Sequence, residues 1–246
     1  MAYDIFARFY DLLTENVEYG KRAGYYCGLL SSCGEQKGIL LDLACGTGTL
    51  SVEFAKKGYD VIGVDSSVGM LNIARQKCCE AGQDVLLLCQ QAEELDLYGT
   101  VDFAVCALDS INHLPGAGKI QAAFDKVSLF MNKGGAFVFD VNTVYKHKNI
   151  LANNSFIYDF DEVFCAWQNT LNDDMSVDIS LDFFSPGKNG LWERSYEEFT
   201  EYAYPLEEIE KMLRKSGFSV IGIYDDLTEN PVRPESERAV FLARKE

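Results

Sequence analysis

A chain of 246 residues, 48% of them hydrophobic, is long enough for one large α/β domain with a well-buried core. Its 22 basic and 38 acidic side chains leave a net charge of −16, which repels phosphate backbones and anionic lipid, and no basic run offsets it, so neither nucleic acid nor a membrane surface is an expected partner. No stretch approaches the ~18 apolar residues of a membrane span, the first residues lack the order of a secretory signal, and the cytoplasm is the expected compartment. The eight cysteines include no CxxC pair, and several sit in apolar runs such as DVLLLC and VDFAVC; they read as reduced thiols, with no metal expected.

From Ile39 to Val144 the runs GILLDL, DVIGVD, DVLLLCQ, VDFAVCAL and GGAFVFDV read as five strands, each apolar enough to be buried on both faces. Between them LSVEFAKKG, VGMLNIARQKCCEAG and GKIQAAFDKVSLFMNKGG space apolar residues as helices do and close on Gly. That alternation is the rhythm of a doubly wound parallel sheet. From Phe156 to Tyr204 the pattern becomes strand-like and aromatic, with SPGKNG as a hairpin turn, and predicts an appended antiparallel sheet. A helix starts at Pro205 and ends on Gly217. The last two strands, FSVIGIYD and ERAVFLARK, are joined only by a loop and must pair antiparallel if adjacent.

The stretch Cys45-Gly46-Thr47-Gly48 stands between a strand and a helix, where backbone N–H groups and a helix N-terminus approach a ligand closely. Asp65 ends the next strand, where a carboxylate accepts hydrogen bonds from both hydroxyls of a ribose. Together they imply an adenosine-containing ligand. A dinucleotide site asks for a third glycine, and Gly46-Thr47-Gly48-Thr49-Leu50-Ser51 lacks it, so NAD is disfavoured. No Gly-Lys-Ser/Thr follows the turn, which excludes a P-loop.

LDLACGTG resembles the first motif of class I S-adenosylmethionine-dependent methyltransferases, with Ala44 in the first glycine position. The resemblance continues through Asp65-Ser66-Ser67 and Met70, CQQAEELDL, VDFAVCALDSINHL and GGAFVFDVNT, and covers essentially the whole chain. The opening Y-x-x-F-A-x-x-Y-D, Tyr3 to Asp11, is similar to the N-terminal signature of a bacterial group of small methyltransferases. The resemblance implies a Rossmann-like fold: a doubly wound, mostly parallel seven-stranded sheet with an inserted antiparallel sheet. It divides the single domain into an N-terminal helical lid (1–38), a cofactor-binding core (39–145), an antiparallel cap (150–204) and a C-terminal helix with a strand pair (205–246).

The implied cofactor is S-adenosylmethionine. Asp42 and the backbone of Ala44, Cys45, Gly46, Thr47 and Gly48 would hold its methionine moiety, and Asp65 the ribose hydroxyls. Ser66 and Met70 would line the adenine side, with Gln91 and Ala92 at the adenine edge; many relatives have Asp where Gln91 stands. Leu108 and Asp109 would lie beside the transferred methyl, and Tyr10 would close over the cofactor. Where the family often places a Trp, three residues after Tyr19, this chain has Arg22.

Methyl transfer from a sulfonium requires alignment above all. An acceptor that must lose a proton would find Asp109, Asn112 and His113 after the fourth strand, and Asn142, Tyr145 and His147 after the fifth. Asp109 and His113 are the candidate catalytic residues, His113 as general base. His147, between two lysines, is expected on a solvated helix or loop. Trp167, Trp192, Tyr196, Tyr202 and Tyr204 either pack the antiparallel sheet or cap the pocket and choose the acceptor. Asp173, Asp174, Glu197 and Glu198 are expected on a solvated face, and Arg194 and Arg238 in exposed ion pairs. The expected activity is methyl transfer to a small-molecule acceptor. The alternatives are modification of tRNA or protein, a catalytically silent module binding S-adenosylmethionine or S-adenosylhomocysteine, and a nicotinamide-dependent oxidoreductase.

Overall fold

In the computed structural model, which describes residues 6–34 and 37–246, the five apolar runs become β1 (Ile39–Leu43), β2 (Asp60–Asp65), β3 (Val85–Cys89), β4 (Val101–Cys106) and β5 (Met131–Asn142). They pair in parallel in the order β3-β2-β1-β4-β5. The fifth strand starts earlier than its sequence suggests: the preceding helix stops at Leu129, and Met131 already pairs with Val101. The C-terminal strands β10 (Phe218–Asp225) and β11 (Arg238–Lys245) complete a seven-stranded sheet and are antiparallel, as the loop between them requires. It is β11 that lies beside β5, because its run Ala239 to Ala243 is fully apolar and buried. β10 takes the edge, with a shift of register between Val220 and Gly222 that leaves Ile221 exposed.

Alternation along each strand sends neighbours to opposite faces and builds two cores. On one face Leu40, Val105, Val138 and Val240 meet Tyr26 and Leu30 of α2 (Tyr19–Ser32) and Phe54 of α3 (Thr49–Lys56). On the other, Leu41, Ala104, Phe137, Phe139 and Phe241 meet Phe124 of α5 (Ala117–Leu129) and Leu213 of α7 (Leu206–Lys215). A further helix, α4 (Val68–Glu80), follows β2, and a short α6 (Val144–Lys146) runs into a wide turn over His147–Leu151.

The aromatic segment forms a separate antiparallel sheet, β6 (Ser155–Asp159), β7 (Phe164–Leu171), β8 (Val177–Pro186) and β9 (Trp192–Glu201), in that order. Every second residue of β8, from Val177 through Ile179 and Leu181 to Phe183, is completely buried. These side chains cover α1 (Phe6–Leu13), whose Phe9 ring stacks on Phe183 at 5.1 Å and whose Phe6 ring lies 5.8 Å from Phe199. Met70 of α4 joins this third core, so α1, the second sheet and α4 pack as one layer beside the ends of the parallel strands. Glu197, expected on a solvated face, is buried here and accepts the Phe6 N–H at 3.1 Å. Tyr3, the first residue of the N-terminal signature, lies outside the described residues.

Asn112 fastens the two sheets together. Its Oδ1 accepts the Asn142 N–H at 2.9 Å, and its Nδ2 donates to the carbonyls of Asn142 at 3.1 Å and Tyr202 at 2.9 Å. Its own carbonyl accepts the Tyr202 N–H at 2.7 Å. Because each buried polar group left unsatisfied costs roughly 1–3 kcal/mol, Asn112→Ala should lose at least about 2 kcal/mol of stability, measured by urea denaturation. A midpoint within error of wild type would show that the fastening is not needed.

Candidate functional site

The turn after β1 alternates left-handed residues, Ala44 at φ 57°, Gly46 at 54° and Gly48 at 75°. The two glycines are there for different reasons. A Cβ on Gly48 would meet the Cβ of Ala74 at 2.7 Å, so this glycine lets the turn approach α4. A Cβ on Gly46 would meet nothing within 4 Å, and Gly46 lines a cavity of about 260 Å³. That space is open, and it is the left-handed φ of Gly46, not a clash, that disfavours a side chain there.

Asp65 braces the same turn. Its Oδ2 accepts the Gly46 N–H and its Oδ1 the Ser67 N–H, both at 2.8 Å. Ser67 in turn caps α4 by accepting the Met70 N–H at 3.2 Å. Behind the turn, Asp42 is buried and accepts the Ser51 hydroxyl at 2.5 Å. Burial pushes its carboxyl up to about 7, the Ser51 bond working against that and the charge of Asp65 with it. Thr47 ties the turn to the N-terminal helix: it donates to Asp11 at 2.7 Å and accepts from Lys77, which also pairs with Asp11 at 2.6 Å.

Of the residues singled out from the sequence, Tyr10, Ala44, Gly46, Asp65, Ser66, Met70, Gln91, Ala92, Leu108 and His113 line this cavity. Asp42, Cys45 and Thr47 line a small adjoining pocket that shares Tyr10, Ala44, Gly46 and Leu108. Gly48 and Asp109 line neither. Sequence reasoning missed Phe6, Gln90 and the ion pair Glu93–Lys119, closed at 2.6 Å, all of which line the cavity. It also missed Tyr19 and Thr49 in the adjoining pocket. None of the aromatic residues proposed to cap the pocket lines it: Trp192 and Tyr196 are exposed, and Trp167 packs on Phe156 and Tyr158.

The segment after β4 is held by a buried carboxylate. Leu108 and Asp109 both have positive φ, 56° and 53°, and both donate their N–H groups to Asp140, at 2.9 and 2.8 Å. Asp140 also accepts the Tyr26 hydroxyl and the Arg238 guanidinium. Burial alone would raise Asp140, but Arg238 and then Arg22 hold it below the usual carboxylate range. Asp109 turns its carboxylate to Arg238 at 2.5 Å. Arg238 is therefore a partly buried bridge between two aspartates, where the sequence suggested an exposed pair; Arg194 does make an exposed pair, with Asp182. Arg22 forms a two-pronged bond with Asp226 at 2.8 and 2.9 Å and donates to Tyr26.

His113 ends the short turn Ser110–His113, with its ring 5.3 Å from Phe199. Its Nε2 lies 3.9 Å from Asp109 Oδ2 and 4.0 Å from Glu201 Oε1. Asp109, His113 and Glu201 are the one trio among the described residues with donor atoms spaced for a metal ion, within 4.8 Å of one another. The guanidinium already bound to Asp109 opposes a divalent cation there. His147 is completely buried, contrary to its expected solvated position, because the turn after α6 folds it under the second sheet. All eight cysteines are free thiols.

A methyltransferase-domain family model matches residues 40–135. Along its whole length the chain is 32% identical to a relative from Geobacillus sp. (strain WCH70) that is described as a methyltransferase, covering 100% of both. It is similar to the crystal structure of an S-adenosylmethionine-dependent methyltransferase from Clostridium acetobutylicum, with 33% identity, a TM-score of 0.89 and 99% and 98% of the two chains covered. The chain belongs to the class I S-adenosylmethionine-dependent methyltransferases. The methyltransferase also shares 27% identity over 136 residues with the dTDP-3-amino-3,6-dideoxy-alpha-D-glucopyranose N,N-dimethyltransferase of Streptomyces fradiae, 54% of this chain and 52% of that one. No helix among its described residues is long and apolar enough to cross a membrane.

Two outcomes follow from the turn. Gly46→Val fills the open space and should reduce S-adenosylhomocysteine affinity at least 100-fold in titration calorimetry; unchanged affinity would place the ligand elsewhere. Asp42 titrates higher in the folded chain, near 7, than its ordinary 3.8, so its contribution to stability is complete below about pH 4 and is lost as pH rises through 7. In ligand-free protein the melting temperature of wild type should fall relative to Asp42→Asn over that window and then run parallel. Curves parallel from pH 4 to 8 would rule the shift out.

Proposed function

We propose that this methyltransferase acts in the cytoplasm on a small-molecule acceptor, and that the acceptor amine or hydroxyl loses its proton to His113. The observation that carries the reading is the imidazole of His113 lining the same cavity as Gly46 and Asp65. A cavity of this size, walled by α1 on one side, suits a small acceptor. The net charge of −16 disfavours a polyanionic one. The Streptomyces fradiae relative is named for a sugar nucleotide, which accords with a small molecule.

S-adenosylmethionine supplies, when bound, an electrophilic methyl group on a sulfonium sulfur. Asp65 is the residue to accept the ribose hydroxyls, since each carboxylate oxygen keeps a lone pair after bonding Gly46 or Ser67. Gln91 and Ala92 take the adenine edge, Ser66 and Met70 its flank, and Asp42 with the backbone from Ala44 to Gly48 the methionine end. A buried carboxyl raised by desolvation, as Asp42 is, gains from a cationic ligand group. Leu108 and Tyr10 wall the reacting centre, the N-terminal segment 1–38 serves as lid through α1, and 150–204 backs that lid by packing on α1. Asp109, bound to Arg238 outside the cavity lining, supports the turn that carries His113.

Titration calorimetry with S-adenosylhomocysteine, with NAD as control, should show saturable binding of the first alone. With an acceptor found by screening amines and hydroxy compounds against a labelled methyl donor, His113→Gln should lower kcat by about 10²–10⁴-fold and leave S-adenosylhomocysteine affinity unchanged. Full turnover in that variant at every pH would remove His113 from the chemistry.

A further inference from the structure

The chain has two histidines, and both face one buried carboxylate. Glu201, the last residue of β9, is 4% exposed. Its Oε2 accepts the Asn142 amide at 3.0 Å and lies 3.6 Å from His147 Nε2, while its Oε1 lies 4.0 Å from His113 Nε2. Asn142 ends β5, so the second sheet contributes the carboxylate and the parallel sheet the group that orients it.

The protons of His147 can be worked out from its partners. Nδ1 lies 2.9 Å from the Met175 carbonyl, which can only accept, so Nδ1 carries a proton. Nε2 is buried with no hydrogen-bond partner among the described residues. A bare lone pair there would oppose the Glu201 carboxylate in a site shielded from water, whereas a proton turns the contact into an imidazolium–carboxylate pair. Burial alone would raise Glu201, yet His147, His113 and the Asn142 amide hold it well below the usual carboxylate range. The other charged groups around the cluster have partners of their own: Arg238 binds Asp109, and Lys146 donates to Asn142 Oδ1 at 2.9 Å.

We propose that Glu201 is the positioning residue of His113: with Asp109 it holds a proton on Nε2, leaving Nδ1 to take the proton of the acceptor, while a doubly protonated His147 keeps Glu201 ionised. Two carboxylate oxygens within 4.0 Å of Nε2 favour that tautomer. This rests on His113 being the base. It adds a residue from the second sheet to the catalytic arrangement, in the role of the group that orients a base in a nucleophile–base–orienter array. The distances are long for hydrogen bonds, as is common before substrate closes a site.

The test uses histidine-¹⁵N-labelled full-length protein and long-range ¹H–¹⁵N correlation near pH 7, with His113→Gln to assign the two rings. The wild-type spectrum should show His147 doubly protonated and His113 as the Nε2–H tautomer. Glu201→Gln should remove the second proton from His147 and shift His113 toward a mixture of tautomers, with S-adenosylhomocysteine affinity within about twofold of wild type as evidence of an intact fold. In turnover, Glu201→Gln should lower kcat with KM little changed, and Glu201→Asp should recover part of the loss. A neutral His147, or His113 protonated on Nδ1, overturns the proposal from the wild-type spectrum alone, whether or not the variant folds. His113 signals unmoved by a folded Glu201→Gln overturn it too. Full turnover in His113→Gln would instead defeat the base reading, and the spectra report on Glu201 independently of that result.

Discussion

The buried carboxylate of Asp140 is the constraint on which the site depends. It gathers two peptide N–H groups, a phenol and a guanidinium around one side chain with no exposure to water. Two consecutive non-glycine residues in left-handed conformation, Leu108 and Asp109, are strained by roughly 1 kcal/mol or more each, and they persist because Asp140 binds both amides. The same carboxylate fixes Arg238, and Arg238 turns Asp109 out of the cavity. What then faces the ligand from this turn is the apolar wall of Leu108 and, a few residues on, the imidazole of His113.

The second constraint is packing. α1 has no core of its own; Phe6 and Phe9 fit against Phe199 and Phe183 of the second sheet, and Met70 of α4 completes the cluster. The polar bonds follow the same route, from Phe6 N–H to Glu197 on one side and from Asp11 to Thr47 and Lys77 on the other. The helix is thereby fixed to both the glycine turn and the second sheet, and the cavity wall it forms has a defined position.

The sequence was most legible where a signal is local. The five parallel strands, the hairpin at SPGKNG and the glycine turn each depend on neighbours a few residues apart, and all are present. It was least legible where a side chain is decided by a partner far along the chain. Arg238 meets Asp140 and Asp109 across 98 and 129 residues. Glu201 meets Asn142 across 59, and nothing in the run EEFTE distinguishes it from its exposed neighbour Glu198. His147 stands between two lysines, a solvated pattern, but the turn around it is set by β7 and the Met175 carbonyl. Glu197 alternates with exposed residues in the right period for burial; only its charge argued against it.

The register shift in β10 bears on how the chain behaves in company. As the last strand of the seven, β10 would offer a straight row of unpaired N–H and C=O groups to any other copy. The irregularity between Val220 and Gly222 breaks that row, and the bridge from Tyr224 to Pro231 covers its end with a loop whose proline has no N–H to donate. An edge kinked in the middle and closed at one end is a poor template for a foreign strand. The fold thus guards its β10 edge against strand addition by shape, with Asp225 at the end as the one charged residue of that strand, and its acidic surface adds long-range repulsion to that protection.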